Sequence, residues 1–424
     1  LKEHPCEEVL DFGESVILPG LVNCHTHLRD TLWRGTIDNH NFISWAKAWV
    51  NISHKMPRRL TIQELQNSCR IGLCEAIRSG TACIADVSSH GVSLKPLIES
   101  KIRGICFIEA HDQIGTLVPE ARSPKKETEN VLEETRKDVM NAVRTCKNTL
   151  VNVGVGPHAP YSASSDLIKG IAKMAREMKL RLGIHLSECR EEVRFIENGE
   201  GVFAENARRV GIEWAPKHMS PVEYLASLNF LGVDVLAAHC VHINNRDIDI
   251  LAEKKVGVAH NPISNAKLAN GVAPLLKMLE KGVKVGLGTD GAQTNNSLNM
   301  FETMKFAVLL QRALHEEPVL NAHKILRLAT IDGAKALGFD HLIGSIEPGK
   351  KADLIAVNLE SSEAGPTYDP VSTLVFTSAG SHVEFVMVDG EVLMEDGRIL
   401  SLDEENALKE MEKIRGLIEV DDGE

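Results

Sequence analysis

Short apolar runs recur along this chain, and run after run ends in a polar residue able to hold a metal or move a proton. Eight of them stop at His25 and His27, Asp86, Glu109, His158, His185 with Glu188 just beyond, His239, His260 and Asp290. Strand interiors favour Val, Ile and other apolar residues. A polar residue at the same end of each run therefore points to convergence on one site. A parallel barrel of eight strands does this, because its C-terminal rim gathers side chains from distant parts of the sequence.

The first strand is predicted over 16–27. An amphipathic helix follows over 61–79, with Gly80 as its stop signal. The chain then alternates: strand 81–87, helix near 92–101, strand 103–110, charged helix 125–148, strand 150–158, helix 164–178 and strand 180–187. Helix 221–229, strand 234–240, helix 244–254, strand 256–262, helix 273–281 and strand 284–290 complete the series. Such alternation means βαβ units and a parallel sheet, and eight repeats favour closure into a (β/α)8 TIM barrel of the α/β class. Helices continue over 297–314 and 320–337.

After about residue 340 the pattern changes to period two, in GSIEPGKKADLIAVNL and HVEFVMVDGEVLMEDGRIL. Asp389-Gly390 and Asp396-Gly397 are tight-turn signals. A small antiparallel β unit is expected here, with residues 6–15 lending it one strand. The expected organisation is 1–19 in a small β domain, 20–339 in a metal-dependent barrel, and 340–424 in the small domain again, ending in a helical then acidic tail.

A length of 424 residues exceeds the needs of one barrel and leaves room for that second unit. The net charge of -12, from 47 basic and 59 acidic residues, argues against a sequence-independent grip on phosphate backbones. No nucleic-acid partner is expected. No apolar stretch reaches the length of a membrane span and no signal peptide is visible, so no membrane partner is expected either and the location is read as cytoplasmic. The cysteine count is nine, which is odd, and no CxxC pair occurs. Cys83 and Cys106 sit inside apolar runs, so the cysteines read as free buried thiols in a reducing compartment. Alternation turns Cys24 away from the face of His25, which makes it a packing residue.

In a strand, residues i and i+2 share a face. His25 and His27 therefore project side by side into the barrel mouth. With His185 from the fifth strand and Asp290 from the eighth they make three imidazoles and a carboxylate. That set suits Zn²⁺, with Fe²⁺ as the alternative, and leaves a position for water. Glu188, three residues past His185, stands where a carboxyl could move a proton between water and a substrate nitrogen. His239 is either a further ligand or a group that holds the attacking oxygen. A two-metal site of this type needs a bridging Lys at the end of strand four, and VGPHAPYS has none, so one divalent ion is expected and His239 acts on the reaction. His158 in GPHAP is expected to face the substrate. His242, His260, Glu109, His111 and Asp86 are weaker candidates. The other zinc deaminase design, with H-x-E and P-C-x-x-C, is absent from the sequence.

The segments ILPGLVNCHTH, GPHAPYSAS, IHLSECREE, SPVEYLASLNFLGVDVLAAHCVHIN, AHNPISNAKLANGVAPLLKMLEKGVKVGLGTDGAQTNNSLNMFE and LATIDGAKALGFDHLIGSIEPGKKADLIAVN carry a resemblance over nearly the whole chain. Together they resemble the amidohydrolase superfamily in its single-metal deaminase branch. Within it the sequence is similar to 5′-methylthioadenosine/S-adenosylhomocysteine deaminases, with triazine chlorohydrolases nearby. The resemblance implies metal ligation by His25, His27, His185 and Asp290, with Asp290 also accepting a proton from water. It implies Glu188 as proton shuttle, His239 as stabiliser of the attacking hydroxide, and His158 against the heterocycle. Arg29 and Glu109 are further expected substrate contacts. It also implies a small β-sandwich domain built from both chain ends, and a homo-oligomer.

Two of the departures from those relatives bear on the substrate. Leu28, Arg29 and Asp30 follow the HTH motif, where small and apolar residues are usual. The segment from Trp45 to Thr61 contains no acid, where the relatives carry a Glu that grips the ribose diol. Pro57 falls about there, and Lys47, Lys55, Arg58 and Arg59 read first as a solvated face, with the grip of an anionic substituent as the alternative. The function expected is metal-dependent hydrolytic deamination of an amino-substituted N-heterocycle, foremost an adenosine derivative. A non-nucleoside heterocycle (guanine, pterin, triazine) or a triazine-type chlorohydrolase is the alternative. A cyclic amidohydrolase and a non-catalytic metal-binding protein come after these.

Overall fold

A computed structural model describes residues 9–121, 127–377, 380–418 and 420. Cys6, the start of the expected small domain, the first residues of the 125–148 helix and the acidic terminus lie outside the described residues. Strand β1 (Val16–Pro19) is followed by β2 (Leu21–Thr26), β3 (Thr81–Ser89), β4 (Arg103–Ala110) and β5 (Val151–Pro157). Then come β6 (Arg181–Leu186), β7 (Val235–His239), β8 (Gly257–His260) and β9 (Lys284–Leu287). From β2 to β9 each strand pairs in parallel with the next. The end of the series returns to its start, where Asp290 N donates to His25 O at 2.9 Å. The result is an eight-stranded α/β barrel ringed by helices, as the alternation predicts.

The later strands are β10 (Leu354–Val357), β11 (Val383–Val388), β12 (Glu391–Glu395) and β13 (Arg398–Ile399). With β1 they form a five-stranded antiparallel sheet in the order β1-β10-β11-β12-β13, drawn from both ends of the chain. Asp389 and Gly390 have φ of 53° and 85°, and Asp396 and Gly397 have 49° and 71°. Positive φ at both central residues is the hairpin geometry those dipeptides signal.

Three expectations are corrected. The single strand expected over 16–27 is two strands in two sheets. Gly20 divides them: its N donates to Asp353 O at 2.9 Å, and a Cβ there would lie 2.2 Å from Ala82 Cβ. The N-terminal contribution to the small sheet is therefore 16–19, and residues 9–15 carry no strand. The helix expected over 320–337 is two, Ala322–Leu328 and Ile331–Leu337. They part where Val22 N takes the carbonyl of Ala329 at 2.8 Å, which ties the break to the first barrel strand.

The pattern also passed over a helix. Phe42–Lys55 begins at Asn41, whose side chain accepts from Ser44 N, and buries Phe42, Ala46, Ala48, Val50 and Ile52. Helices Arg190–Asn198 and Val202–Arg209 fill the long gap after β6. The eight described cysteines are free and buried, and Cys24 Sγ faces Gly333 O at 3.6 Å, outside the barrel mouth. Among the described residues no helix is long and apolar enough to cross a membrane.

One buried ion pair joins the barrel to the small sheet. Arg103 Nε lies 2.7 Å from Asp353 Oδ2, and the two side chains are 7% and 2% exposed. Asp353 Oδ1 also accepts from Asp389 N at 2.9 Å. Removing one partner of a buried pair leaves an uncompensated charge. Asp353→Ala should therefore lower the unfolding free energy by about 3–5 kcal/mol in urea titration, and the double variant Arg103→Met/Asp353→Leu by less.

Candidate active site

Barrel closure brings four expected residues together at the C-terminal rim. Asp290 Oδ1 lies 3.4 Å from His25 Nε2 and 3.5 Å from His27 Nε2. His27 Nε2 lies 3.1 Å from His185 Nε2. The ligating atoms of His25, His27 and Asp290 are all within 4.8 Å of one another, and so are those of His25, His185 and His239. Two of the four are fixed from behind. His185 Nδ1 bonds His158 O at 2.8 Å. A carbonyl only accepts, so Nδ1 carries the proton and Nε2 keeps its lone pair. Asp290 Oδ2 accepts from Ser264 Oγ at 2.5 Å and Thr294 Oγ1 at 2.9 Å, which leaves Oδ1 for the cluster.

Burial is the first cause of the imidazoles' charge state. It takes His25 down to about 3, His158 to about 3 and His239 to about 4, and lowers His185 as well. Neutral rings are what a metal needs. Burial works to raise Asp290, but the close contact with His25 and the surrounding imidazoles of His239 and His27 outweigh it and hold the carboxylate well below its usual range. His25 Nε2 is buried without a hydrogen-bond partner. An orphaned nitrogen beside two imidazoles and a carboxylate fits a divalent cation of the zinc type. A third grouping, Glu109 with His158 and His185, is also compact. There Glu109 Oε1 faces His185 Nδ1 at 3.7 Å, the protonated edge of the ring, so it supports that histidine.

Glu188 follows the end of β6, and its Oε2 lies 3.8 Å from His239 Nε2. Its Oε1 accepts from Asn270 Nδ2 at 3.2 Å. Burial, then the charges of Asp290 and Glu192, push this carboxyl well above the usual range. That shift favours the protonated form, the state in which a carboxyl can give a proton away. His239 Nδ1 bonds Asn265 Oδ1 at 2.9 Å, which leaves Nε2 bare toward the cleft.

A cleft of ≈ 1040 Å³, counting the part open to solvent, rises from this floor. His27, His158, His185, Glu188, His239 and Asp290 line its base, and Arg29, Glu109 and His111 line it further out. Burial tends to raise Glu109, but His158, His185 and His27 hold it at about 2, so it stays a carboxylate. Arg29 Nε bonds Asp30 Oδ1 at 2.9 Å, and Asp30 Oδ2 takes Gln293 Nε2 at 2.9 Å. One wall is the helix Phe42–Lys55, through Phe42, Trp45 and Trp49, with the two indoles near parallel at 7° and their centroids 6.4 Å apart.

Several residues take other places. Asp86 accepts from Leu28 N at 2.7 Å and Thr26 Oγ1 at 3.1 Å, and so pins the backbone after HTH. His242 Nε2 bonds Asn270 O at 2.6 Å and faces a neighbouring groove, and His260 is buried off the cleft. Lys47, Lys55, Arg58 and Arg59 do not line the cleft, and Arg58 pairs with Glu64 at 2.6 Å. An anion-gripping role for that segment is not supported. As cleft-lining residues, Trp45, Trp49, Gln293 and Thr294 went unread in the sequence, and Asp30 was noted only as a departure from the relatives. The i, i+4 spacing of the two tryptophans is a signal that could have found the wall.

A family model described as "Amidohydrolase family" matches residues 16–393. A 5′-deoxyadenosine deaminase of Methanopyrus kandleri is 33% identical over 408 residues, covering 95% of this chain and 87% of that protein. A 5-methylthioadenosine/S-adenosylhomocysteine deaminase of Dictyoglomus thermophilum is 37% identical over 409 residues, covering 96% and 88%. An adenosine deaminase structure from Xanthomonas campestris with bound zinc aligns with a TM-score of 0.82 and 25% identity, over 95% of this chain and 86% of that one. An atrazine chlorohydrolase of Arthrobacter aurescens complexed with zinc shares the fold, with a TM-score of 0.79 and 20% identity over 95% and 88%. With the family match spanning barrel and small sheet alike, and the histidine cluster standing at the rim, this chain belongs to the amidohydrolase family.

Proposed function

We propose that this protein deaminates an amino-substituted N-heterocycle by hydrolysis, and that its substrate is an adenosine derivative such as 5′-methylthioadenosine or S-adenosylhomocysteine. Hydrolysis of a carbon–nitrogen bond accords with the family and with the names its relatives carry. One observation carries the reading: Glu188, a buried carboxyl pushed well above its usual range, stands 3.8 Å from His239 on the floor of the cleft, beside the imidazole–carboxylate cluster.

His25, His27, His185 and Asp290 would hold one divalent ion, zinc by donor type, with Fe²⁺ the alternative. When bound, it supplies the Lewis acidity that makes water a nucleophile at neutral pH. Asp290 takes a proton from the attacking water. His239 holds the attacking oxygen through its bare Nε2. Glu188 gives its proton to the ring nitrogen beside the carbon under attack, relieving the charge that builds on the ring. The proton held by Asp290 passes to the amine, and ammonia leaves. The new hydroxyl returns a proton to Glu188 as the carbonyl forms. His158, Arg29 and Glu109 contact the substrate from the cleft wall. A cytoplasmic location and a homo-oligomeric state complete the proposal.

A non-nucleoside heterocycle is the second reading. The observation in its favour is the wall from Phe42–Lys55, which offers indoles and no carboxylate to a ribose diol.

Three outcomes are expected. Among adenosine, 5′-methylthioadenosine, S-adenosylhomocysteine, guanine, pterins, cytosine and amino- or chlorotriazines, ammonia release should be fastest with an adenosine derivative. Chloride release as the main product would overturn the deaminase. Glu188→Gln should keep its metal and lose about 10²–10⁴-fold in kcat, and ammonia release at the unaltered rate would remove the acid role. Dialysis against a chelator should abolish turnover and lower Tm, with both restored by a single equivalent of zinc. Two bound equivalents by elemental analysis would contradict the single-ion site.

A further inference from the structure

The catalytic reading places Glu188 but does not use the second acid four residues on. Glu192 lies in the first turn of helix Arg190–Asn198 and is 0% exposed. Among the described ion pairs none involves it. A carboxyl buried without a cation is costly unless hydrogen bonds satisfy it. Here Glu192 Oε1 accepts from Ser187 N at 2.8 Å and Oε2 from Glu188 N at 3.0 Å. Both oxygens are therefore spent on the two peptide groups that lead into the catalytic acid.

Those peptides need holding. Ser187 has φ of 50°, in the left-handed region that a serine adopts only when its surroundings enforce it. The other side of the turn is fixed as well, since Ser187 O accepts from Val241 N at 3.0 Å and His242 N at 2.9 Å, just past β7. Glu192 closes the clamp from the helix side. An ordinary capping glutamate would bond back to its own N-cap residue, here Cys189. Glu192 instead reaches past the cap to residues 187 and 188. Its bonds bear on the backbone that aims Glu188 at Asn270 and His239.

We propose that Glu192 is a positioning residue for the deamination, fixing the left-handed Ser187–Glu188 turn so that the Glu188 carboxyl meets the substrate ring nitrogen. This rests on the deaminase reading for its effect on turnover, and on geometry alone for its effect on the turn. Misplacing a catalytic group by a fraction of an ångström costs rate more than binding.

The test uses the full chain with its metal. Glu192→Ala should lower kcat about 10–100-fold, with metal content and KM kept, and Glu192→Gln, which retains one acceptor oxygen, should fall between Ala and the unaltered chain. Glu191→Gln, one position away on the same helix, should leave kcat unchanged. Amide hydrogen exchange at Ser187 and Glu188 should speed up in Glu192→Ala, with the central barrel strands still protected. Unaltered exchange at those amides, or unaltered kcat in a metal-replete Glu192→Ala protein, overturns the proposal. A loss of kcat that merely tracks lost metal or lost folded protein also overturns it. If the unaltered chain releases no ammonia from any compound above, the deaminase reading fails, and the exchange arm still decides whether Glu192 holds the turn.

Discussion

The contact from Asp290 N to His25 O, 2.9 Å long, is the closure on which the site depends. It joins the segment after the last barrel strand to the first strand. Closing the ring sets the positions of β2 and β6 around the mouth, and their ends carry His25, His27 and His185. Without it Asp290 and the pair His25 and His27 would sit on opposite edges of an open sheet, with His185 on a strand between them. The backbone at the rim is strained to match: Ser187, His239 and Asp290 have φ of 50°, 73° and 62°. Each such residue costs on the order of 1–3 kcal/mol. The strain collects where the chain must turn sharply and still aim a side chain inward.

Burial then does two opposite things with one cause. Low polarity disfavours charge. It lowers His25, His158, His185 and His239, and it raises Glu188. The same desolvation thus moves the proposed ligands and the proposed acid in the opposite directions that the proposed hydrolysis needs. Asp290 escapes because imidazoles crowd it. The buried Arg103–Asp353 pair plays a separate part, tying the small sheet to the base of β4 while the cleft opens at the other end.

Much of this was legible in the sequence. Polar residues at the ends of apolar runs mark the rim, because a strand buried on both faces tolerates polarity only at its end. The HxH spacing puts His25 and His27 on one face without any knowledge of the fold. The dipeptides Asp389-Gly390 and Asp396-Gly397 announce their hairpins, since few residues accept positive φ. The helix Phe42–Lys55 was not legible in the same way. Its tryptophans and branched residues carry no clear helix signal, and the i, i+4 spacing of Trp45 and Trp49 becomes a wall only once the fold sets a cleft beside it.

The sequence by itself determined the order of the barrel strands and of most of the helices between them, the small β unit and the set of groups able to bind a metal or move a proton, because these follow from local periodicity and side-chain chemistry. Tertiary structure alone decided that the run over 16–27 divides at Gly20, that Asp86 pins backbone while Glu188 faces the cleft, and that Glu192 reaches back to the turn before it. Those outcomes depend on close approach and burial between segments far apart in the chain, and no local pattern encodes such distances.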